Sequence, residues 1–341
     1  MAKRNYSVMK KVEPSVLRFT VNLPALTKTS SANTSFLDLS QIASLLNRRF
    51  YRQGLNWAVS DIKHMGLTTA GSSVNGYVGI SKCPNTWVFF NAWKKSFEAW
   101  RKMIDNATDE SGAESIRGRF LDFKIYADAD HHTVGFSSNL LPSNVFGVPY
   151  TAGQWQPSEL QIPVQNALTD TRELIAVGPN DPGVSPVSGY DAVSVIQGYA
   201  DSRALPSTAD PNVPADANDN WMVQLFDNVS DQDQDVISDL EVMGNNPPYP
   251  FEGDQAGNVD TQYPGGESQA PSLQLHDLQY ITGTTVGGHT HLAGGVFPCG
   301  LMRIDTFVNS LDLLEGEQLD HGLIIELCPG NHRGYLAESM S

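Results

Sequence analysis

His289 and His291, in the run GGHTHLAGG, are the residues best placed by type and spacing to do chemistry. On a strand, a spacing of two turns both imidazoles to one face, as chelation of a metal ion requires. Asp128-Ala129-Asp130-His131-His132 is denser in ligand types. A metal or phosphodiesterase site there would need further Asp and His from elsewhere, and no second motif supplies them. The segment is therefore read as a strand-to-loop corner with exposed polar residues. No G-x-S-x-G, Walker loop or G-x-G-x-x-G occurs, and no nucleophile–base pair stands out. The expectation is a protein without catalytic residues, metal or cofactor.

The spacing Gly283-x5-His289-x-His291 resembles the first motif of cupins, which are themselves jelly rolls. The likeness stops there. Val296 and Phe297 stand where a glutamate is needed, and Arg303 stands where a third histidine would be. A surface hairpin carrying two histidines is the better account, and a cupin-like metal-dependent enzyme is an alternative. Another alternative is a carbohydrate-binding or adhesive β-sandwich with Trp155 or Trp221 in its binding loops. Asp231-x-Asp233-x-Asp235 imitates the start of an EF-hand loop, but Val236 replaces the needed Gly and Val242 the needed Glu. The three cysteines, Cys83, Cys299 and Cys328, each adjoin a Pro or Gly and read as buried thiols at strand ends.

The basic residues are a better lead. The net charge is −16, but residues 1–124 carry 18 Lys and Arg against 9 Asp and Glu. The remainder carries 4 against 29, and no lysine follows Lys124. One part of the surface is thus expected to meet polyanions while another repels them. Lys3, Arg4, Lys10 and Lys11 form a short basic arm, and Arg48, Arg49 and Arg52 lie on the polar face of a helix. Together they could neutralise phosphates without reading sequence. Lys3-Arg4 and Lys10-Lys11 are the residues a nuclear-targeting signal would use, although both clusters are shorter than such signals require.

The elements that must position these groups follow from periodicity. With 341 residues, 40% of them hydrophobic, the chain has material for a large core. It lacks the apolar run of a membrane span and an apolar leader, so a soluble, non-secreted product is expected. Val16–Val21 alternates as a strand ended by Pro24, and Thr27–Thr34 is a polar linker. A helix follows, capped by Asp38 or Ser40, with Ile42, Leu45, Leu46 and Phe50 at helical spacing and Gly54 as its stop. Leu55–Met65 and Tyr77–Lys82 read as strands. Trp87–Met103 is an amphipathic helix whose stripe of Trp93, Phe97, Trp100 and Ile104 faces a core. Phe120–Tyr126 alternates cleanly as a strand, Glu159–Val164 and Glu173–Val177 are shorter ones, and Leu273–Thr285, Val296–Phe307 and Gly322–Leu327 complete the set. Long turn-rich segments occupy 178–190, 205–220 and 244–272, with a helix over Asp233–Met243 between two of them. Many short strands, few helices and long polar loops predict a mainly β protein, a β-sandwich of the jelly-roll or Greek-key sort.

Several of these segments together resemble the capsid proteins of small circular Rep-encoding single-stranded DNA viruses. They are Asp38–Trp57, Ser81–Met103, Phe120–Asp128, Gly198–Pro206, Tyr249–Gly253 and Tyr280–Gly300. The resemblance implies a basic arm and linker over residues 1–34 and one eight-stranded jelly-roll capsid domain over 35–341. It implies self-assembly into an icosahedral shell of about sixty copies, enclosing circular single-stranded DNA. Its partners would be itself, that DNA and a host receptor, with no membrane, and its place the virion, reached through the host nucleus. Met1–Lys28 holds only six basic residues and one acid. So short an arm cannot neutralise a genome alone, which leaves Arg48, Arg49 and Arg52 to contribute from the inner wall.

Overall fold

In the first strand, Arg18–Thr27 (β1), Phe19, Val21 and Leu23 are buried while Arg18 and Asn22 are exposed. That two-residue period is what a sheet with one face on a core demands. The computed structural model describes residues 15–27, 32–66, 75–112, 122–144, 147–164, 168–178, 192–204, 272–282, 289–309, 318–330 and 335–340. The segments 205–220 and 244–271 and the helix expected over Asp233–Met243 lie outside them, as does nearly all of 178–190.

After β1 come Ala32–Asp38 (β2), Leu39–Asn47 (α1), Leu55–Gly66 (β3), Asn75–Lys82 (β4) and Trp87–Glu110 (α2). Then follow Ala129–Val134 (α3), Glu159–Val164 (β5), Leu168–Ile175 (β6), Ala192–Ser194 (β7) and Val195–Ala204 (α4). The last group is Gln274–Thr282 (β8), His289–Leu292 (β9), Gly295–Pro298 (β10), Leu301–Asn309 (β11), Gln318–Leu327 (β12) and Ala337–Ser339 (β13). The described chain is mainly β. One sheet runs β1-β12-β3-β10, with β9 and β13 also paired to β3, and a second runs β2-β11-β4-β8. All pairings in these two sheets are antiparallel. A small third sheet, β5-β6-β7, belongs to the long insertion between β4 and β8.

The two larger sheets close on one core. Val21 and Leu23 of β1, Trp57, Val59 and Ile62 of β3 and Leu323 and Ile325 of β12 meet Leu37 of β2, Val78 and Ile80 of β4 and Met302 and Ile304 of β11. Each such side chain, fully buried, stabilises by roughly 1.5–3 kcal/mol before conformational entropy is counted. A second core lies outside β2 and β11. There Phe36 and Leu301 pack with Val88, Phe89, Trp93 and Trp100 of α2 and with residues of β5, β6, β7 and α4. The aromatic stripe of α2 is thus a core stripe, with Phe97 and Ile104 packed against the same cluster.

Five expectations are corrected. Pro24 does not end β1. Leu23 pairs His321 and Leu26 pairs Leu319, so Pro24 and Ala25 form a bulge where a missing N–H costs no ladder bond. The polar run Thr27–Thr34 is not all linker, because β2 begins at Ala32.

α1 starts as expected, with the Asp38 carboxylate accepting from the N–H groups of Ser40 and Gln41. It stops at Asn47, well short of Gly54. Arg48 takes a left-handed conformation (φ 51°) and donates its N–H to the Ser44 carbonyl. Leaving the helix there lets Tyr51, 2% exposed, pack edge-on against Trp57 and Tyr335.

Described residues 122–126 are extended but form no strand, apart from a single bridge between Tyr126 and Ile175. Gln53 serves both backbone groups of Ile125, at 2.6 and 3.0 Å, and Ser158 serves both of Lys124, at 2.9 Å each. Phe123 through Ala127 are buried without alternation. Lastly, Val296–Phe307 is two strands. Cys299 and Gly300, at φ 60° and 71°, turn the chain from one sheet into the other. A Cβ at Gly300 would lie 2.9 Å from the Trp57 ring.

Candidate nucleic-acid interface

Lys3, Arg4, Lys10 and Lys11 lie outside the described residues. Arg48, Arg49 and Arg52 do not share a helix face as expected, because α1 has already ended. They occupy the turn between α1 and β3, with Arg48 and Arg52 exposed and Arg49 half-buried. Cations just past a helix C-terminus also meet its partial negative charge, which is a sufficient local reason for two of the three.

The structure brings the root of the basic arm to this turn. The Val16 N–H donates to Asn47 Oδ1 at 3.2 Å, and the Tyr335 hydroxyl donates to the Val16 carbonyl at 2.6 Å. Leu327 N–H donates to the Leu17 carbonyl at 2.8 Å. Asn47 directly precedes Arg48, so Val16 sits beside the turn that carries the three arginines. No periodicity in the sequence signals that proximity, which rests on bonds between residues far apart in the chain.

Other cations are spoken for or dispersed. On the outer face of the β1-β12-β3 sheet, the register aligns Arg18 with Glu326 and Asp61, so that row carries no excess of positive charge. Lys124 is buried, ion-paired to Asp122 and 4.3 Å from the centre of the Trp155 ring. Lys94, Arg101 and Lys102 are exposed on α2, where Arg101 pairs with Asp105 at 3.6 Å.

Asp128–His132 is not an exposed polar corner. Asp128 caps α3, accepting from the His131 N–H at 2.9 Å, and both Asp128 and His131 are buried. Arg303 Nη1 lies 2.7 Å from both Asp128 and Asp130, and its Nε lies 3.1 Å from Asp305. Burial raises the Asp128 carboxyl, and the bonds from His131 and Arg303 only partly offset it. His131 Nδ1 accepts from Ala127 N–H at 3.0 Å, which leaves the proton on Nε2, 2.7 Å from Asn139 Oδ1. Burial lowers His131 to about 4. His132 pairs with Glu173 at 2.9 Å. This is a latch between the insertion and β11.

His289 and His291 sit on β9, both exposed. They are not on a hairpin, since β9 and β10 both pair with β3 and hold one register across their break. Arg303, where a third cupin ligand would stand, is on β11 in the other sheet. Among the described residues no group of three or more His, Cys, Asp or Glu is placed to hold a metal. Asp231, Asp233, Asp235 and Trp221 lie outside them. Cys83, Cys299 and Cys328 are free thiols, each directly after a strand. Cys83 and Cys299 are buried, and burial raises both thiols well above their ordinary value.

Comparisons with protein-family models, with curated proteins and with solved structures find no match to this chain. Among the described residues no helix is long and apolar enough to cross a membrane.

Proposed function

We propose that this chain is the capsid subunit of a small circular single-stranded DNA virus, a non-enzymatic protein that builds a closed shell from about sixty copies of itself. The observation carrying this reading is the strand order. A jelly roll is a long antiparallel ribbon rolled up, in which eight strands pair first with eighth, second with seventh, third with sixth and fourth with fifth. Here β1 pairs β12, β2 pairs β11, β3 pairs β9 and β10, and β4 pairs β8. Leu292 opposite Ile62 and Gly295 opposite Val59 keep one register, so β9 and β10 count as one interrupted strand. The roll itself adds β12 on β3 and β11 on β4. On this reading β5–β7 belong to an insertion and β13 is a terminal addition.

A jelly roll hosts many functions, so the surface must argue the rest. The outer face of β8 exposes Leu275, Leu278 and Tyr280, at 59, 36 and 70%, beside the stacked rings of Tyr77 and Phe307. Large apolar side chains grouped on one sheet face suit burial against a neighbouring copy. Arg48, Arg49 and Arg52 at one turn, together with Lys3, Arg4, Lys10 and Lys11 of the basic arm, suit phosphate contacts that ignore base sequence. In this reading the protein resides in the virion and passes through the host nucleus.

Changing Arg48, Arg49 and Arg52 together to Gln is expected to leave the fold and assembly intact and to lower the nucleic acid carried. The slope of log affinity against log salt for single-stranded DNA should fall by about 2, at roughly 0.7 for each phosphate that is no longer neutralised. An unchanged slope and an unchanged ratio of absorbance at 260 and 280 nm would remove this turn from the DNA-binding surface.

A further inference from the structure

We infer that His289 and His291 form a bidentate, solvent-exposed site for a borderline divalent transition-metal ion of the copper, nickel or zinc class. This goes beyond the capsid reading and does not depend on it. Along β9 the exposed residues are His289 and His291, while Leu292 is buried at 2%. The two Cα atoms are thus roughly 6.6 Å apart on one side of the sheet. Imidazoles at that spacing can converge on an ion about 2.0–2.1 Å from each nitrogen.

Asp61 supplies the second, independent observation. Its Oδ1 lies 3.5 Å from His291 Nδ1, and Lys63 Nζ holds its other oxygen at 3.0 Å. An ionised carboxylate only accepts, so Nδ1 carries the proton, and in the neutral ring Nε2 keeps its lone pair for an ion. A carboxylate behind a histidine in this way fixes the tautomer and ring of many metal ligands. Among the described residues His289 has no hydrogen-bond or ion-pair partner.

The other described histidines are committed elsewhere. His64 Nε2 and His321 Nδ1 are 3.0 Å apart, and His321 Nε2 is 2.9 Å from the Pro24 carbonyl. His131 and His132 belong to the Arg303 latch, and His276 Nε2 lies 2.9 Å from the Ala293 carbonyl. Two protein ligands leave the remaining positions to water, which suits an exchangeable ion and not a catalytic centre. Copper(II), the tightest binder among such divalent ions, is the probe of choice.

Untagged full-length protein would be titrated with Cu²⁺ by calorimetry and followed by electron paramagnetic resonance. The expected result is a saturable site for one ion per chain with a two-nitrogen signature. His289→Gln with His291→Gln should abolish it, and Asp61→Asn should weaken it roughly tenfold to a hundredfold. All three positions are at a strand surface, and circular dichroism would check that the fold is kept. Absence of a saturable site, or an isotherm unchanged in the double variant, overturns the inference.

Discussion

Stability of the folded chain should fall steeply as pH drops from 6.5 toward 4. Burial holds His64 at about 3 and His131 at about 4, and burial likewise lowers His321. In the unfolded chain each titrates near 6.5. Below that value the unfolded state takes up protons that the folded state refuses, so unfolding gains. The contribution is fully present above pH 6.5 and is lost as pH falls toward the folded values. Each histidine adds about 1.4 kcal/mol per pH unit once its unfolded form is fully protonated. His64 and His131 alone therefore predict a slope of about 3 kcal/mol per pH unit near pH 5.

Two carboxyls oppose this. Burial raises Asp38 and Asp128, so the folded state holds their protons more tightly. Their effect stabilises at low pH and disappears as pH rises through their folded values, which blunts the loss at the acid end. Urea unfolding at pH 7, 5.5 and 4.5 reads the slope directly. His131→Gln should lower that slope by about 1.4 kcal/mol per pH unit whatever it costs at pH 7. Equal slopes in the variant and the parent protein would contradict the burial account of His131.

The second large effect is at Arg303. Changing it to Met leaves the Asp128 carboxylate buried with no counter-charge, at an expected cost of about 3 kcal/mol at pH 7. The loss should be local first, with faster hydrogen exchange over residues 122–139 than in β3 or β12. It should also shrink toward pH 5, because an unpaired buried carboxyl takes up a proton more readily. Adding Asp128→Asn to Arg303→Met should recover most of the stability, since no unpaired buried charge then remains at this site. A double variant as unstable as Arg303→Met would mean that packing, not charge, sets the cost.

What could be read from the chain follows how local each cause is. β3, β4 and α2 are legible because apolar spacing and burial agree within each segment, and the capping of α1 by Asp38 is legible too. The end of α1 is not, since it depends on Tyr51 finding Trp57 and Tyr335. Phe120–Tyr126 looks like a strand because its alternation is real. In its described part the backbone is instead paired by Gln53 and Ser158, 72 and 34 residues away from the groups they serve. The Asp128–His132 segment misleads for a similar reason, because its partner Arg303 lies 175 residues on. For the candidate interface, the basic residue types are visible in the sequence. The approach of Val16 to Asn47, beside the three arginines, is not.

On the capsid reading, these chains close into shells. Sedimentation and negative-stain microscopy of the purified untagged chain, with and without circular single-stranded DNA, decide whether they do. Uniform closed particles of about sixty copies are the predicted result. A monomer or small oligomer that persists across salt, pH and added DNA would contradict it.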